Sequence, residues 1–193
     1  METGPGPKEI EKEQINFNNP ELRVVLDISP EADNHLPVIS PEDLKTKRER
    51  FRLFYGKTES VSHDKIKVKI EAVTELPDQP DFYEEGNAGV RIKNIQRAKL
   101  VLDKAMEQEG LDWQFIGEIH THPITQSELE ENQRPWHPSP EDEQGWKSFY
   151  ESGFLKSGQP CIFGIAGSYE GKTGYAFYRV IKHENDWGIQ RIE

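Results

Sequence analysis

The most informative part of the sequence reads GEIHTHP over residues 117–123 and PSPED over residues 138–142. The first segment closes an apolar run, so the pattern predicts the end of a β-strand. The second predicts the start of a helix, because Ser139 suits an N-cap, Pro140 suits the first helical position and acidic residues follow. A strand and a helix are therefore expected on either side of a long loop, residues 123–138.

Two histidines share one face of this predicted strand. Side chains two residues apart point to the same side, so His120 and His122 project together, about 6.6 Å apart along the chain. Asp142 falls in the first turn of the predicted helix. Two imidazole nitrogens and one carboxylate oxygen suit Zn²⁺ and leave a fourth tetrahedral position for water. The pattern predicts an open, hydrolytic zinc site, since a closed structural site would need a fourth protein ligand.

Each of these residues also has a simpler interpretation. A His-x-His pair on a strand is more often a surface or packed pair than a metal site. Ser139 alone is most simply a helix cap, and Asp142 alone is a favourable charge near a helix N-terminus. The zinc hypothesis depends on the joint occurrence of the three features.

The rest of the sequence predicts a mixed α/β fold. Apolar and charged residues alternate in KIKVKIEAV, residues 65–73, which indicates a half-buried strand. Steps of three and four between apolar residues predict a helix over 90–109, ended by Gly110. Further strands are predicted over 22–28, 49–56, 113–122, 161–167, 175–182 and 187–192, helices over 41–48 and 139–153, and loops over 57–64 and 75–88. The fold class expected is an α/β sandwich with a mixed β-sheet flanked by helices.

Composition limits the classes of partner. Residues 1–21 are rich in Gly, Pro, Glu, Lys and Asn and predict a flexible leader, followed by a single domain over residues 22–193. The 24 Lys and Arg against 35 Asp and Glu give a net charge of −11, which argues against a nucleic-acid-binding module. The single cysteine, Cys161, excludes an internal disulfide and a Cys-rich zinc site. With no signal-like or membrane-length apolar run, no membrane association and a cytoplasmic location are expected.

The same motifs resemble those of the JAMM/MPN (Mov34/JAB-type) zinc metalloproteases, whose active members cleave ubiquitin and ubiquitin-like conjugates. The family pattern is a Glu, then His-x-His-Pro, then Ser-x-x-Asp, matched here by residues 120–123 and 139–142. Glu49, which opens ERFRLFYG over residues 49–56, has the spacing of the family glutamate. The resemblance covers about residues 41–182 and implies the family's cytidine-deaminase-like α/β sandwich.

The resemblance implies a zinc-dependent isopeptidase or peptidase, deubiquitinase-like, that cleaves ubiquitin or a ubiquitin-like protein after its C-terminal glycine. It assigns Zn²⁺ to His120, His122 and Asp142, with zinc-bound water as the nucleophile. Glu49 is implied as the general base that accepts the proton of the water. Ser139 is implied as the donor of a hydrogen bond to the developing oxyanion.

Several alternatives stay open at this point. Ser127-Glu-Leu-Glu130 is a nearer but poorer match to Ser-x-x-Asp, and Glu118, on the histidines' face, is the main rival for the general base. The same residues fit a processing protease for a ubiquitin-like sulfur-carrier protein, or a non-catalytic MPN-type scaffold. Two histidines and one carboxylate also describe a non-haem iron triad, although the usual order of its ligands is reversed here.

Overall fold

The computed structural model describes residues 15–75, 83–86, 89–92, 95–130, 135–184 and 186–193. Its elements are β1 (Arg23–Ile28), α1 (Pro30–Asp33), α2 (Pro41–Thr46), β2 (Phe51–Ser62), β3 (Lys65–Glu75), β4 (Tyr83–Gly86), β5 (Gly89–Ile92), α3 (Ile95–Gln108), β6 (Gln114–His122), α4 (Gln126–Glu130), α5 (Pro140–Glu151), β7 (Ile162–Tyr169), β8 (Lys172–His183) and β9 (Asp186–Ile192). The predicted α/β class is confirmed.

Seven strands form one sheet in the order β1-β3-β2-β6-β7-β8-β9. The pairs β1–β3 and β6–β7 are parallel, and the other neighbours are antiparallel. The predicted mixed sheet is therefore confirmed. The sheet curls until its edge strands β1 and β9 touch, and β4 and β5 pair separately as a hairpin.

Two apolar clusters lie on opposite faces of the sheet. Adjacent residues of β7 alternate between them, as Ile162 belongs to one and Phe163 to the other. We call the cluster of Phe163 the α5 cluster, because it contains Trp146 and Tyr150 of α5. We call the other the N-terminal cluster, because it contains Phe17.

The described part of the predicted leader, residues 15–21, packs against the sheet. Phe17 and Asn18 are fully buried, and Asn18 Nδ2 donates to the carbonyl of Val180. Arg179, also buried, donates to Gln190 Oε1 and to the backbone carbonyls of residues 17, 19, 20 and 22. Burial lowers the pKa of the Arg179 guanidinium to about 10. The packed structure therefore begins before residue 22, and residues 1–14 lie outside the described residues.

The structure corrects two predicted loops. The loop predicted over 57–64 is largely wrong, because β2 continues to Ser62 and pairs with β3 as a hairpin. Residues 59–62 of β2 are exposed, so they need no apolar alternation and carry no sequence signal. The loop predicted over 75–88 includes β4, whose pairing with β5 depends on backbone hydrogen bonds that composition does not reveal.

The helix predicted over 90–109 begins later, at Ile95, because residues 89–92 belong to β5. Its predicted end is confirmed: Gly110 has φ +71° and Leu111 N–H donates to the Met106 carbonyl across the helix end. The helix predicted over 41–48 is observed as α2, two residues shorter.

No helix in the described part of the chain combines the length and apolar character that a membrane crossing needs.

Candidate metal centre

A β-bulge in β6 precedes the two histidines. Phe54 of β2 pairs with Gly117 of β6. The next residue of β2, Tyr55, pairs with Phe115, so Ile116 is an extra residue on β6. An extra residue shifts the side-chain alternation of a strand by one position. The bulge therefore decides which face the end of β6 presents to α5.

After the bulge, Glu118 and the two histidines of β6 face the α5 cluster. Ile119 lies in the N-terminal cluster. Glu118 bonds to Trp146 of the α5 cluster, and the ring of His120 lies 6.2 Å from that of Trp146. His122, two residues further, projects from the same face as His120. The prediction that the two histidines project together is borne out, because their Nε2 atoms lie 3.1 Å apart.

Gly117 makes this bulge possible. Its φ is +150°, and a Cβ built on it would lie 1.9 Å from the carbonyl oxygen of Ile162 on β7. We expect Gly117→Ala to lower the free energy of unfolding by about 3–5 kcal/mol, measured by urea denaturation, because strain and a backbone clash add. Gly145→Ala in α5 is the matched control: no atom lies within 4 Å of that Cβ, so stability should stay equal or rise. A loss below about 1 kcal/mol for Gly117→Ala would contradict the role of the bulge.

The segment before α5 lies flat on β7 and β8. Gly167 and Gly174 pair across these strands. A Cβ at Gly167 would lie 2.4 Å from the carbonyl oxygen of Pro135, and one at Gly174 would lie 2.8 Å from Trp136 Nε1. Tyr178 donates its hydroxyl to the Trp136 carbonyl. The two glycines thus allow a close approach that leads the chain to the start of α5.

The start of α5 has Ser139 as its N-cap, as its sequence predicts, and it also forms a capping box with Asp142. The Ser139 hydroxyl oxygen accepts from the N–H of Asp142 at 3.1 Å, and Asp142 Oδ2 accepts from the N–H of Ser139 at 2.7 Å. These two hydrogen bonds fix the carboxylate of Asp142 in the first turn of the helix.

The structure brings His120, His122 and Asp142 together, with one ligand atom of each within 4.8 Å of the others, and we call this group of three residues the triangle. His120 Nε2 lies 3.1 Å from His122 Nε2 and 3.2 Å from Asp142 Oδ1. His122 Nε2 lies 3.2 Å from Asp142 Oδ2. His120 is buried and the other two are half-buried. Each residue offers one ligand atom, so the group can hold a metal ion.

The imidazole of His120 and the carboxylate of Asp142 each stabilise the charged form of the other. Burial lowers the pKa of His120, but the carboxylates of Asp142 and Glu118 outweigh burial and raise this pKa well above its usual value. Burial raises the pKa of Asp142, but His120 and His122 outweigh it and hold this pKa far below its usual value. A divalent cation that bound here would displace the proton from the imidazole and take over the pairing with the carboxylate.

Glu49, the predicted general base, is half-buried and lies just before β2. Phe51 pairs with His120. Ahead of that pair, Thr121 N–H donates to the Arg50 carbonyl at 3.0 Å, and Arg50 N–H donates to Thr121 Oγ1 at 2.8 Å. Extending this antiparallel register by one more residue would bring Glu49 opposite His122, the last residue of β6. In such an extension Glu49, two residues before Phe51, would fall on the face of the sheet that carries the histidines.

The sequence matches no known family profile and no curated protein. Any functional interpretation therefore depends on the geometry of this site and on its motifs.

Glu118, the rival for the general base, lies behind His120 rather than in the triangle. It is 3% exposed. Its Oε1 accepts from Trp146 Nε1 at 2.8 Å, and its Oε2 lies 3.5 Å from Nδ1 of His120. The triangle uses the other ring nitrogen, Nε2. The carboxylate of Glu118 therefore lies on the Nδ1 side of the His120 ring, away from Asp142 and His122.

Ser127 and Glu130, the rival Ser-x-x-Glu match, lie in α4. Ser127 is exposed, and the side chain of Glu130 lies outside the described residues. The loop predicted over 123–138 thus contains a short helix, capped by Thr125, whose N–H and hydroxyl donate to Glu128. The Thr-x-x-Glu spacing is the sequence signal that could have predicted α4. Lys47 also pairs with Glu128 and so ties α4 to the end of α2.

The tetrapeptide Ser-Pro-Glu-Asp occurs twice, at residues 40–43 and 139–142. Both copies form the same capping box. Asp43 is 2% exposed, yet it accepts from the guanidinium of Arg50 at 3.0 and 3.1 Å instead of facing histidines. Ser-x-x-Asp by itself therefore marks a helix start, and the facing side chains decide whether its carboxylate can bind a metal.

Proposed function

We propose that this chain is a zinc-dependent isopeptidase or peptidase of the JAMM/MPN type, which cleaves ubiquitin or a ubiquitin-like protein after its C-terminal glycine. The observation that carries the proposal is the His120–His122–Asp142 triangle at the carboxyl end of β6, in which the two Nε2 atoms lie 3.1 Å apart and each lies 3.2 Å from one oxygen of the Asp142 carboxylate. A JAMM/MPN-like sandwich is part of the proposal. The mixed sheet with α5 crossing between the parallel strands β6 and β7 supports it.

The size and chemistry of the triangle favour Zn²⁺. Tetrahedral zinc with ligand bonds of about 2.0–2.1 Å needs ligand atoms about 3.3–3.4 Å apart. The Nε2–Nε2 distance of 3.1 Å and the two Nε2–oxygen distances of 3.2 Å, each to a different oxygen of Asp142, are within a few tenths of an ångström of that spacing. Two nitrogens and one oxygen are a usual donor set of catalytic zinc, which keeps a fourth position for water or substrate. The zinc would supply a Lewis acid that acidifies water and polarises the attacked carbonyl.

The protein groups around the triangle have distinct roles in the proposal. Glu49, at the entry to β2, accepts a proton from the attacking water and later delivers it to the leaving amine. The leaving amine belongs to a lysine side chain or to a backbone. His120 and His122 would hold the ion through their Nε2 atoms, and Asp142 would hold it through its carboxylate.

Ser139 is assigned to the oxygen of the attacked carbonyl. Its hydroxyl oxygen accepts from the N–H of Asp142, and its hydroxyl hydrogen can donate to a second group. Because the capping box fixes the position of the Ser139 oxygen, its hydroxyl would be placed to donate when negative charge develops on the carbonyl oxygen.

A ubiquitin-like protein substrate, rather than nucleic acid, is supported by the net charge of −11. A cytoplasmic location is also part of the proposal, supported by the presence of a single cysteine, Cys161, which allows no internal disulfide.

The test is a cleavage assay on a panel of substrates. Purified protein with one equivalent of zinc is incubated with ubiquitin, ubiquitin-like and sulfur-carrier proteins, each extended past its terminal glycine, and the products are identified by mass spectrometry. We expect cleavage after that glycine, lost with a chelator and restored by zinc. Cleavage of the sulfur-carrier fusion alone would assign the substrate to that class. A folded, zinc-loaded protein that cleaves no member would contradict the proposal and favour a scaffold.

The twin capping boxes provide a matched pair of variants. Ser139→Ala and Ser40→Ala each remove an N-cap acceptor and should each cost about 1 kcal/mol of unfolding free energy. Only Ser139→Ala should also lower kcat, by about 10²–10³, because it removes the oxyanion donor. Equal kcat values for the two variants would contradict the role of Ser139.

A further inference from the structure

The carboxylate of Glu118 is buried between two hydrogen-bond donors. Its Oε1 is satisfied by Trp146 Nε1. Its Oε2 is buried and makes no hydrogen bond within the described part of the chain, although Nδ1 of His120 lies 3.5 Å away. Leaving a buried acceptor without a partner costs about 1–3 kcal/mol. The ring of His120 is therefore the group placed to satisfy it.

We infer that Glu118 is a positioning residue that accepts the Nδ1–H of His120 and so holds the Nε2 lone pair of that ring towards the metal ion. This inference rests on the metal-binding part of the proposed function, and it does not depend on which bond is cleaved. In metal sites, a ligating histidine usually donates its second ring N–H to a carboxylate or carbonyl, which fixes the tautomer and the ring orientation.

Trp146 extends this support to the third ligand. It lies on α5 one turn after Asp142, and its ring stacks on Phe163 at 5.0 Å and on Tyr178 at 5.7 Å. Its hydrogen bond to Glu118 therefore ties the helix that carries Asp142 to the strand that carries the histidines. Glu118 aligns two elements as well as one ring.

Glutamine cannot replace Glu118 in this position. The indole N–H of Trp146 is a donor only, and Nδ1–H of a metal-bound His120 is also a donor. A carboxylate offers an acceptor to each of them. An amide offers one acceptor and one donor, so Glu118→Gln leaves either Trp146 or His120 facing another donor.

The experiment measures zinc affinity by competition with a chromophoric chelator at fixed pH. We expect Glu118→Gln to weaken zinc binding about 10–100-fold, and Trp146→Phe to weaken it in the same direction. Glu59→Gln, on an exposed part of β2, removes the same charge far from the histidines and should bind zinc like the wild type. Near-UV circular dichroism of the zinc-free proteins checks that each variant is folded. If Glu118→Gln does not fold, the zinc affinity of Trp146→Phe tests the inference: weaker binding than the wild type supports it, and wild-type binding contradicts it.

A second measurement reads the tautomer directly. ¹⁵N–¹H correlation spectra of the zinc-loaded wild type should show a slowly exchanging hydrogen on Nδ1 of His120, and that hydrogen should exchange faster in Glu118→Gln. Wild-type zinc affinity together with unchanged exchange in Glu118→Gln would overturn the inference and leave the proposed function standing. A folded wild type that binds no zinc would overturn both.

Discussion

Replacing Asp142 with asparagine is expected to remove zinc from the protein and to abolish cleavage. Asparagine keeps the size of the side chain and an oxygen that can accept from the N–H of Ser139, so the helix cap is largely preserved. It loses the negative charge that pairs with His120 and His122, and a neutral amide oxygen is a much weaker zinc ligand than a carboxylate. Zinc affinity should fall by about 10²-fold or more, beyond the effect of changing a supporting residue.

The matched control is Asp43→Asn in the twin Ser-Pro-Glu-Asp box. Asp43 has the same cap geometry, but its partner is the guanidinium of Arg50. Asp43→Asn should lose stability, because Arg50 loses its carboxylate, and should still bind one zinc per chain. Metal content after dialysis and chelator competition measure both variants. Wild-type affinity in Asp142→Asn would mean that the carboxylate is not a ligand.

The three proposed ligands could be predicted from the sequence because their signals are local. Two-residue spacing puts His120 and His122 on one face of a strand, and the Ser139–Asp142 box marks a helix start. The sequence could not predict which side chains face the aspartate of each capping box. The same three residues, Ser-Pro-Glu, precede Asp43 and Asp142. Only the fold places Asp43 beside Arg50 and Asp142 beside the histidines.

The role of Glu118 illustrates the same limit. Its spacing places it on the histidines' face, which made it a rival for the general base. Its partner Trp146 lies on a different element, and α5 docks on that face after a long connection. The position of the bulge is equally non-local, because Ile116 is extra only relative to the register of β2.

The hydrophobic pattern of the sequence also does not predict the buried polar contacts of the fold. Arg179 lies in a predicted strand, where a charged residue suggests a solvated face. It is instead 1% exposed and donates to the carbonyls of a segment more than 150 residues earlier in the chain, including those of Phe17 and Leu22. A guanidinium with five donors can satisfy such a set of carbonyls. No sequence signal near Arg179 predicts these hydrogen bonds, however.

The second large effect is expected for Glu49→Gln. Glutamine has nearly the same shape as glutamate, but it cannot accept a proton from the attacking water. Since Glu49 is not one of the three ligands, zinc content and affinity should match the wild type, while kcat falls by about 10²–10⁴. Metal analysis and the fusion-cleavage assay on the same preparation measure the two quantities together.

Two further variants sharpen the assignment of the base. Glu59→Gln, on the exposed part of the same strand, controls for loss of negative charge on β2 and should cleave at the wild-type rate. Glu118→Gln should owe its loss of activity to weak zinc binding, so saturating zinc should restore much of its kcat. Excess zinc cannot restore Glu49→Gln, because the missing group is the proton acceptor. If saturating zinc restores the kcat of Glu49→Gln, or if that kcat equals the wild-type value, Glu49 is not the general base. The general base would then be another residue, and the position of Glu49 near the end of β6 would have no role in catalysis.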